Sequence, residues 1–182
     1  MGRAKGFKRE EVLDEATKLF WKKGYADTSL SDLEKATGVN KSGLYSEFKD
    51  KDDLYQECLK HYRDNNPIHE LLKIEPLGWS NIERMLKINL TCTGNKGCLM
   101  AQTARELAIL PAKVRQILDQ NGERMKGSVL ANVKATKTKM DPEALTNMIL
   151  TFVSGLAIRV NSTKAELLLA DVDAFIDLLK KS

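Results

Sequence analysis

From Lys8 to Lys23 apolar side chains return at Val12, Leu13, Ala16, Leu19 and Phe20, the three-and-four spacing of one helix face, and Gly24 ends the run. Ser29 can cap a short helix to about Thr37 that turns Leu30, Leu33 and Ala36 inward. Gly38 supplies a tight turn, Asn40 can cap a third helix to about Phe48, and Asp50 a fourth carrying Leu54, Tyr55, Cys58, Leu59 and Tyr62. That fourth pattern lapses at Asn65-Asn66-Pro67. Further helices are predicted at about 79–93, 98–109, 111–136, 142–161 and 164–181, with Asp141-Pro142 placing a cap before a proline at the first helical position. The prolines Pro67, Pro76, Pro111 and Pro142 all fall between periodic segments, and no stretch alternates long enough to predict a strand. The expectation is an all-α fold of about nine helices. A three-helix N-terminal domain would be joined by the fourth helix to a C-terminal helical bundle, with residues 1–66 and 67–182 as the two domains.

The segment from Thr28 to Phe48 reads as helix, glycine-centred turn, helix, the order of a helix-turn-helix, with the motif at 29–48. Leu30, Leu33, Ala36, Val39, Leu44 and Phe48 can close one small core, which leaves Lys41, Ser42, Gly43, Tyr45 and Ser46 on the outer side of the second helix. Such small and hydrogen-bonding types suit a major groove. Gly43 would let a phosphate approach the backbone, and Asn40 and Lys41 stand where helix amides favour one. The same pattern also fits any compact three-helix bundle, so taken alone it leaves DNA binding and plain packing open.

Composition narrows the field. The 182 residues are 42% hydrophobic and 30% charged with a net charge of +4, so the chain can bury a core, and disorder as its main state is excluded. Two histidines and three cysteines predict neither a metal cage nor a disulfide framework, and Cys58-x-x-His61 offers only two ligands on one helix face. No cofactor or metal is expected. Phosphate-loop, nucleophile-elbow and His-Glu-x-x-His motifs are absent, so no enzyme is expected. The apolar run Met148–Ile158 is broken by Thr151, Ser154 and Gly155 and falls short of the roughly 20 residues that span a bilayer. With no secretory pattern after Met1, the expectation is a cytoplasmic protein in a reducing compartment.

Leu33-x-x-Ala36-x-Gly38-Val39-x-x-x-Gly43-Leu44-Tyr45-x-x-Phe48-x-x-Lys51-x-x-Leu54 resembles the DNA-binding domain of the TetR/AcrR family of bacterial transcriptional regulators. Ala16-x-x-Leu19-Phe20-x-x-x-Gly24-Tyr25-x-x-Thr28-Ser29 continues the resemblance in register, so that it covers about residues 8–60. The resemblance implies that Ser29 caps the first motif helix with Thr28 beside it near the DNA backbone. It implies that Lys41, Ser42 and Gly43 face the groove or its phosphates, that Tyr45 packs against or hydrogen-bonds a phosphate, and that Lys51 pairs with the backbone; Asn40 and Leu44 complete the expected DNA-binding set. A basic arm of Arg3, Lys5, Lys8 and Arg9 would add to it. Two residues depart from the family pattern: Glu34 stands where a small alanine is usual, and Glu47 where an aromatic or histidine is usual. Glu34 would loosen its helix or lie exposed; Glu47 would point to solvent or accept from a cytosine amino group. With 13 basic and 12 acidic side chains in residues 1–63, the expected salt dependence is moderate.

Beyond residue 66 the resemblance rests on length and helix order. The stripes Leu145, Met148, Ile149, Phe152, Val153, Leu156, Val160 and Leu168, Val172, Phe175, Leu179 exceed what one small domain can bury, so a homodimer is expected. Its seam is expected at Met148, Phe152, Leu156, Val172, Phe175 and Leu179, which agrees with the family's four-helix dimer bundle. The family also binds small apolar or amphipathic effectors among the middle helices, and the resemblance implies Trp79, Met85, Asn89, Met100, Gln102, Thr103 and Phe152 as liners. Cys98, after Lys96-Gly97 at a predicted helix start, is a candidate redox thiol. The expected function is a dimeric, ligand-responsive repressor of a pseudo-palindromic operator. The alternatives are a thiol-sensing repressor acting through Cys98 and a helical adaptor that does not bind DNA.

Overall fold

The first four helices begin and end on local chemistry. They are α1 (Arg9–Lys23), α2 (Leu30–Thr37), α3 (Lys41–Glu47) and α4 (Lys51–Asp64). Side chains of Ser29, Asn40 and Asp50 accept backbone N–H groups at the starts of α2, α3 and α4, where the amides have no partner within the helix. This computed structural model describes residues 7–91 and 97–181; the side chains of Asn89 and Thr91 lie outside that description. Arg3, Lys5, Cys92 and Lys96 therefore fall outside the described residues, as does the side chain of Asn89 among the expected liners.

The remaining helices are α5 (Ile68–Leu71), α6 (Trp79–Thr91), α7 (Leu99–Arg105), α8 (Ala112–Lys134), α9 (Pro142–Arg159) and α10 (Ala165–Lys181). Among the described residues every regular element is a helix, ten in all, one more than the periodicity predicts. The addition is α5, in the stretch read as a boundary. Its four residues are too few to show a period, yet Ile68 and Leu71, with Leu72 after it, are buried. None of the described helices is long and apolar enough to cross a membrane.

The chain forms two compact units. The first holds the residues up to Asn65 together with Gln102–Leu118. Within it, α1 packs Val12, Leu13, Ala16 and Phe20 against the face of α4 that carries Leu54, Tyr55, Cys58 and Leu59. Phe20 and Tyr25 both meet the Tyr55 ring, with centroids at 4.7 and 5.0 Å. The Tyr55 hydroxyl and the Thr103 hydroxyl are hydrogen-bonded at 2.8 Å, and burial pushes this phenol up to about 12.

The second unit holds Asn66–Ala101 and Asp119–Ser182. Its core joins Ile82, Met85 and Leu86 of α6 to Val129 and Val133 of α8, to Leu145, Ile149 and Leu156 of α9, and to Leu168, Val172 and Ile176 of α10. A buried amide organises its polar interior. Asn132 Oδ1 accepts from the Gly78 N–H and from Asn81 Nδ2, each at 3.0 Å, and its Nδ2 donates to the carbonyls of Leu72 at 2.8 Å and Ser128 at 2.9 Å. All four hydrogen-bonding positions of the carboxamide are satisfied, as burial requires.

A candidate nucleic-acid interface

The turn between α2 and α3 is built from side chains. Ser29 Oγ accepts from the Asp32 N–H at 3.1 Å, and the Asp32 carboxylate accepts from the Ser29 N–H at 3.0 Å. Lys23, 2.8 Å from Asp32, and the Ser29 hydrogen bonds hold that carboxyl well below the usual carboxylate range. Gly38, at φ 69°, takes the left-handed conformation that closes α2. Asn40 Oδ1 then accepts the Gly43 N–H at 2.9 Å.

Glu34 completes the turn in a way the sequence reading missed. Its Oε1 accepts the Lys41 N–H at 2.5 Å, tying α2 to the first residue of α3. The acid is half-buried and engaged at the turn. With Glu34 on the Lys41 amide and Asn40 on the Gly43 amide, these donors are not held open for a phosphate, contrary to the expectation for Asn40 and Lys41.

Lys41, Ser42, Tyr45 and Ser46 lie exposed on one side of α3, and the Lys41 ammonium stands 5.8 Å from the Tyr45 ring centroid. Leu44 is instead buried beside Phe48, which removes it from the contact face. Gly43 is small for a packing reason. A Cβ there would stand 2.6 Å from Val39 Cγ1 and 3.3 Å from Phe7 Cε1, so the missing side chain faces the protein and not a phosphate. Thr28 is buried, and its hydroxyl donates to the Gly24 carbonyl at 2.6 Å. Its side chain shapes the α1–α2 loop.

Lys51 is also occupied. Its Nζ lies 4.2 Å from the Tyr25 ring centroid, and the Tyr25 hydroxyl donates to the Asp52 carboxylate. Burial lowers the Lys51 ammonium pKa, opposed by the carboxylates of Asp52, Glu106 and Asp27. Its charge sits over that ring and near those carboxylates within the chain. In the arm, Arg9 lies 2.6 Å from Glu57 and stacks 5.1 Å from the Phe48 ring centroid, while Lys8 lies 3.0 Å from Glu11. Glu47 is half-buried with one carboxylate oxygen covered, so it does not point fully to solvent.

The expected effector liners divide between the two units. Met85 and Met100 are buried in the second unit, and Trp79 and Phe152 pack half-buried against its core. Thr103 and Gln102 belong to the first unit, where the Thr103 hydroxyl is engaged by Tyr55. A cavity of about 380 Å³ in the second unit is lined by Leu72, Lys73, Glu75, Leu77, Gly127, Ser128 and Ala131, none of which the sequence reading named. Among the described residues no group of three or more His, Cys, Asp or Glu could hold a metal ion. Cys58 is buried against α1, and burial pushes its thiol up to about 12, whereas Cys98 is half-buried just before α7.

The dimer stripes split between two faces. Leu156, Val172 and Leu179 are each 2% exposed or less and fill the chain's own core, so they have no surface to offer a partner. Met148 is exposed, and Phe152 and Phe175 stack on each other at 3.9 Å between centroids while remaining half-buried. Ile158, Leu167 and Leu178, absent from the expected seam, are more than half exposed. The periodic stripes took in Met148, Phe152, Leu156, Val172, Phe175 and Leu179 alike, but did not mark which side of each helix would be covered.

Residues 12–58 match the sequence profile of the family described as bacterial regulatory proteins, tetR family. Over 63 residues the chain is 49% identical to the HTH-type transcriptional repressor ComR of Escherichia coli K12, a segment that is 35% of this chain and 30% of ComR. The matches to the curated relatives span less than a third of their length. These relatives are transcriptional regulators. Among solved structures, a TetR-family regulator from Agrobacterium tumefaciens superposes with a TM-score of 0.84 at 18% identity, covering 93% of this chain and 96% of that one. A cysteine-substituted CifR, in complex with 26 bp double-strand operator DNA, gives 0.78 at 22% identity over 96% of this chain and 98% of CifR. At such identities these likenesses establish the fold.

Proposed function

We propose that the chain, whose residues 12–58 match the tetR family of bacterial regulatory proteins, is a TetR-type regulator and a dimeric repressor of transcription that reads a pseudo-palindromic operator. The observation that carries the reading is the division of α3, which buries Leu44 and presents Lys41, Ser42, Tyr45 and Ser46 outward from a turn held by Glu34 and Asn40. Side chains of that kind can hydrogen-bond base edges and neutralise phosphates once the helix enters the major groove. Two copies would place the recognition helices about 34–36 Å or more apart, one helical turn of DNA.

The second copy docks on the outward apolar positions of α9 and α10: Met148, Phe152, Ile158, Phe175 and Leu178. A small-molecule effector held in the second unit releases the operator by favouring the geometry that does not bind. Tenfold release needs about 1.4 kcal/mol of coupling. The protein acts where the DNA is, in the bacterial cytoplasm. Selection of duplexes from a random pool, followed by titration of the recovered site, tests the reading. A dimer should retain a palindrome, and recovery of no sequence above background would sink the proposal.

A thiol-sensing version is favoured by one contrast, the half-buried Cys98 against the deeply buried Cys58. Maleimide labelling of the folded protein should reach Cys98 first and weaken operator binding. Labelling that begins only on unfolding would leave reversible ligand binding as the surviving mechanism.

A further inference from the structure

The segment 102–118 is the part of the chain beyond residue 65 that joins the DNA-reading unit, and both of its ends fall inside helices, α7 and α8. It grips that unit at two points. Thr103 bonds the buried Tyr55 hydroxyl of α4 at 2.8 Å. Three residues on, Glu106 Oε2 accepts the Tyr25 N–H at 2.9 Å and Oε1 accepts the Ala26 N–H at 3.0 Å. Both carboxylate oxygens are thus committed to adjacent amides in the loop between α1 and α2. Gly24 opens that loop at φ 81°, and a Cβ there would stand 3.1 Å from Glu106 Oε2, so the glycine admits the carboxylate as well as the turn.

We propose that Glu106 is a positioning residue for DNA reading: by holding the amides of Tyr25 and Ala26 it fixes the place from which α2, and through it α3, projects. The proposal rests on the regulator reading above. Its route is a series of short, hydrogen-bonded links. The loop is a closed turn, with the Thr28 N–H on the Tyr25 carbonyl at 3.3 Å and the Thr28 hydroxyl on the Gly24 carbonyl at 2.6 Å. It runs directly into Ser29, the cap of α2. From α2 the Glu34 carboxylate reaches the Lys41 amide at the start of α3. A displacement of residue 106 would pass along these links to the outward side chains of α3. Glu106 touches no DNA in this arrangement. It makes segment 102–118 the place where a change in α7 or α8 would register in the reader.

The test compares the full-length chain with Glu106→Ala by amide hydrogen exchange, and by titration of the palindrome selected on the wild type beside a scrambled duplex of equal length. Loss of two charge-assisted hydrogen bonds predicts about tenfold weaker binding to the palindrome, with scrambled DNA within about twofold of wild type. Exchange should accelerate from residue 25 through α2 and α3 while α1 and α4 keep their protection. A change confined to residues 25 and 26, or palindrome affinity within about twofold of wild type in a folded variant, overturns the proposal. Should Glu106→Ala not fold, Glu106→Gln keeps one acceptor oxygen and is read by the same criteria, with about a threefold loss expected. If the wild type selects no palindrome, the regulator reading fails, while the spread of exchange through α2 and α3 still decides whether Glu106 holds them.

Discussion

The two compact units solve the same problem, fixing short helices in place, by opposite means. In the reader unit α1 and α4 share an apolar core, but the starts of α2, α3 and α4 are held by local, polar contacts. Ser29, Asn40 and Asp50 start three successive helices, and Glu34 joins two of them across a single turn. In the second unit the hold is long-range and largely apolar, with α6 meeting α9 and α10 through side chains far apart in sequence and one buried amide, Asn132, securing the loop before α6. The difference matches what each part is proposed to do. A reader must present a fixed row of polar groups, which caps and turns set to within a fraction of a residue. A docking and sensing body needs apolar area, which can be shared between its own core and a partner.

The comparison breaks most visibly at the outward stripe. Phe175→Asp puts a charge on the proposed seam, and an unpartnered buried charge costs several kcal/mol, on the order of 3–5. Light scattering should show the dimer's mass falling to the monomer's. Leu156→Ala, on the inward side of α9, should instead lower stability by about 2–5 kcal/mol without changing the mass of the folded protein. A Phe175→Asp variant that stays dimeric at micromolar concentration would remove α10 from the seam.

Asn132→Leu should come next in size. It strands the Gly78 amide and the Leu72 carbonyl, at about 1–3 kcal/mol for each unsatisfied group. Trp79 lies in the second unit and Trp21 in the first, so single-tryptophan variants can follow each separately during urea unfolding. Only the Trp79 transition should move. A Ser29→Ala change removes one cap and should cost about 1 kcal/mol, this time on the Trp21 side.

Two smaller effects sharpen the polar half. Lys41→Ala should reduce the slope of log affinity against log salt by about 1 and weaken binding to all sequences alike. Lys51→Ala, whose ammonium is already held over Tyr25, should change that slope less; equal slopes for the two variants would show that Lys51 leaves Tyr25 for the DNA. The least effect concerns acid. Lys23 and Ser29 hold the Asp32 carboxyl below its ordinary 3.8, so its contribution to stability is present above that pH and is lost as the pH falls further. Asp32→Asn should flatten the acid side of the stability profile, and an unchanged profile would argue against the capping box as a source of stability.

The boundaries of α1 to α4 were legible because their signals lie within four residues of one another: a glycine after a periodic run, or a capping oxygen before one. The short helix α5 was not, since four residues cannot display a 3.6-residue period. Glu106 carried no signal, because its partners at Tyr25 and Ala26 stand some 80 residues away and are backbone amides with no side chain to mark them. Glu34 did leave a trace as the acid in an alanine position, yet only its reach across the Gly38 turn explains it. Thr28 and Lys51 entered the expected DNA-binding set through family resemblance, where the structure buries the Thr28 side chain and sets the Lys51 ammonium over the Tyr25 ring.

What the sequence by itself determined is the set of helices that local chemistry starts and stops, and the polar character of the outer face of α3. Periodicity, caps and turns act between residues a few positions apart, so one chain read in order contains them. Tertiary structure alone decided which half of each apolar stripe is core, as with Leu156 and Val172 against Met148 and Phe175. It alone decided that Glu34 and Glu106 serve as links between elements, and that Gly43 makes room for Val39 and Phe7. Burial and hydrogen bonding at those positions depend on which distant segment arrives beside them, and no local pattern encodes that arrival.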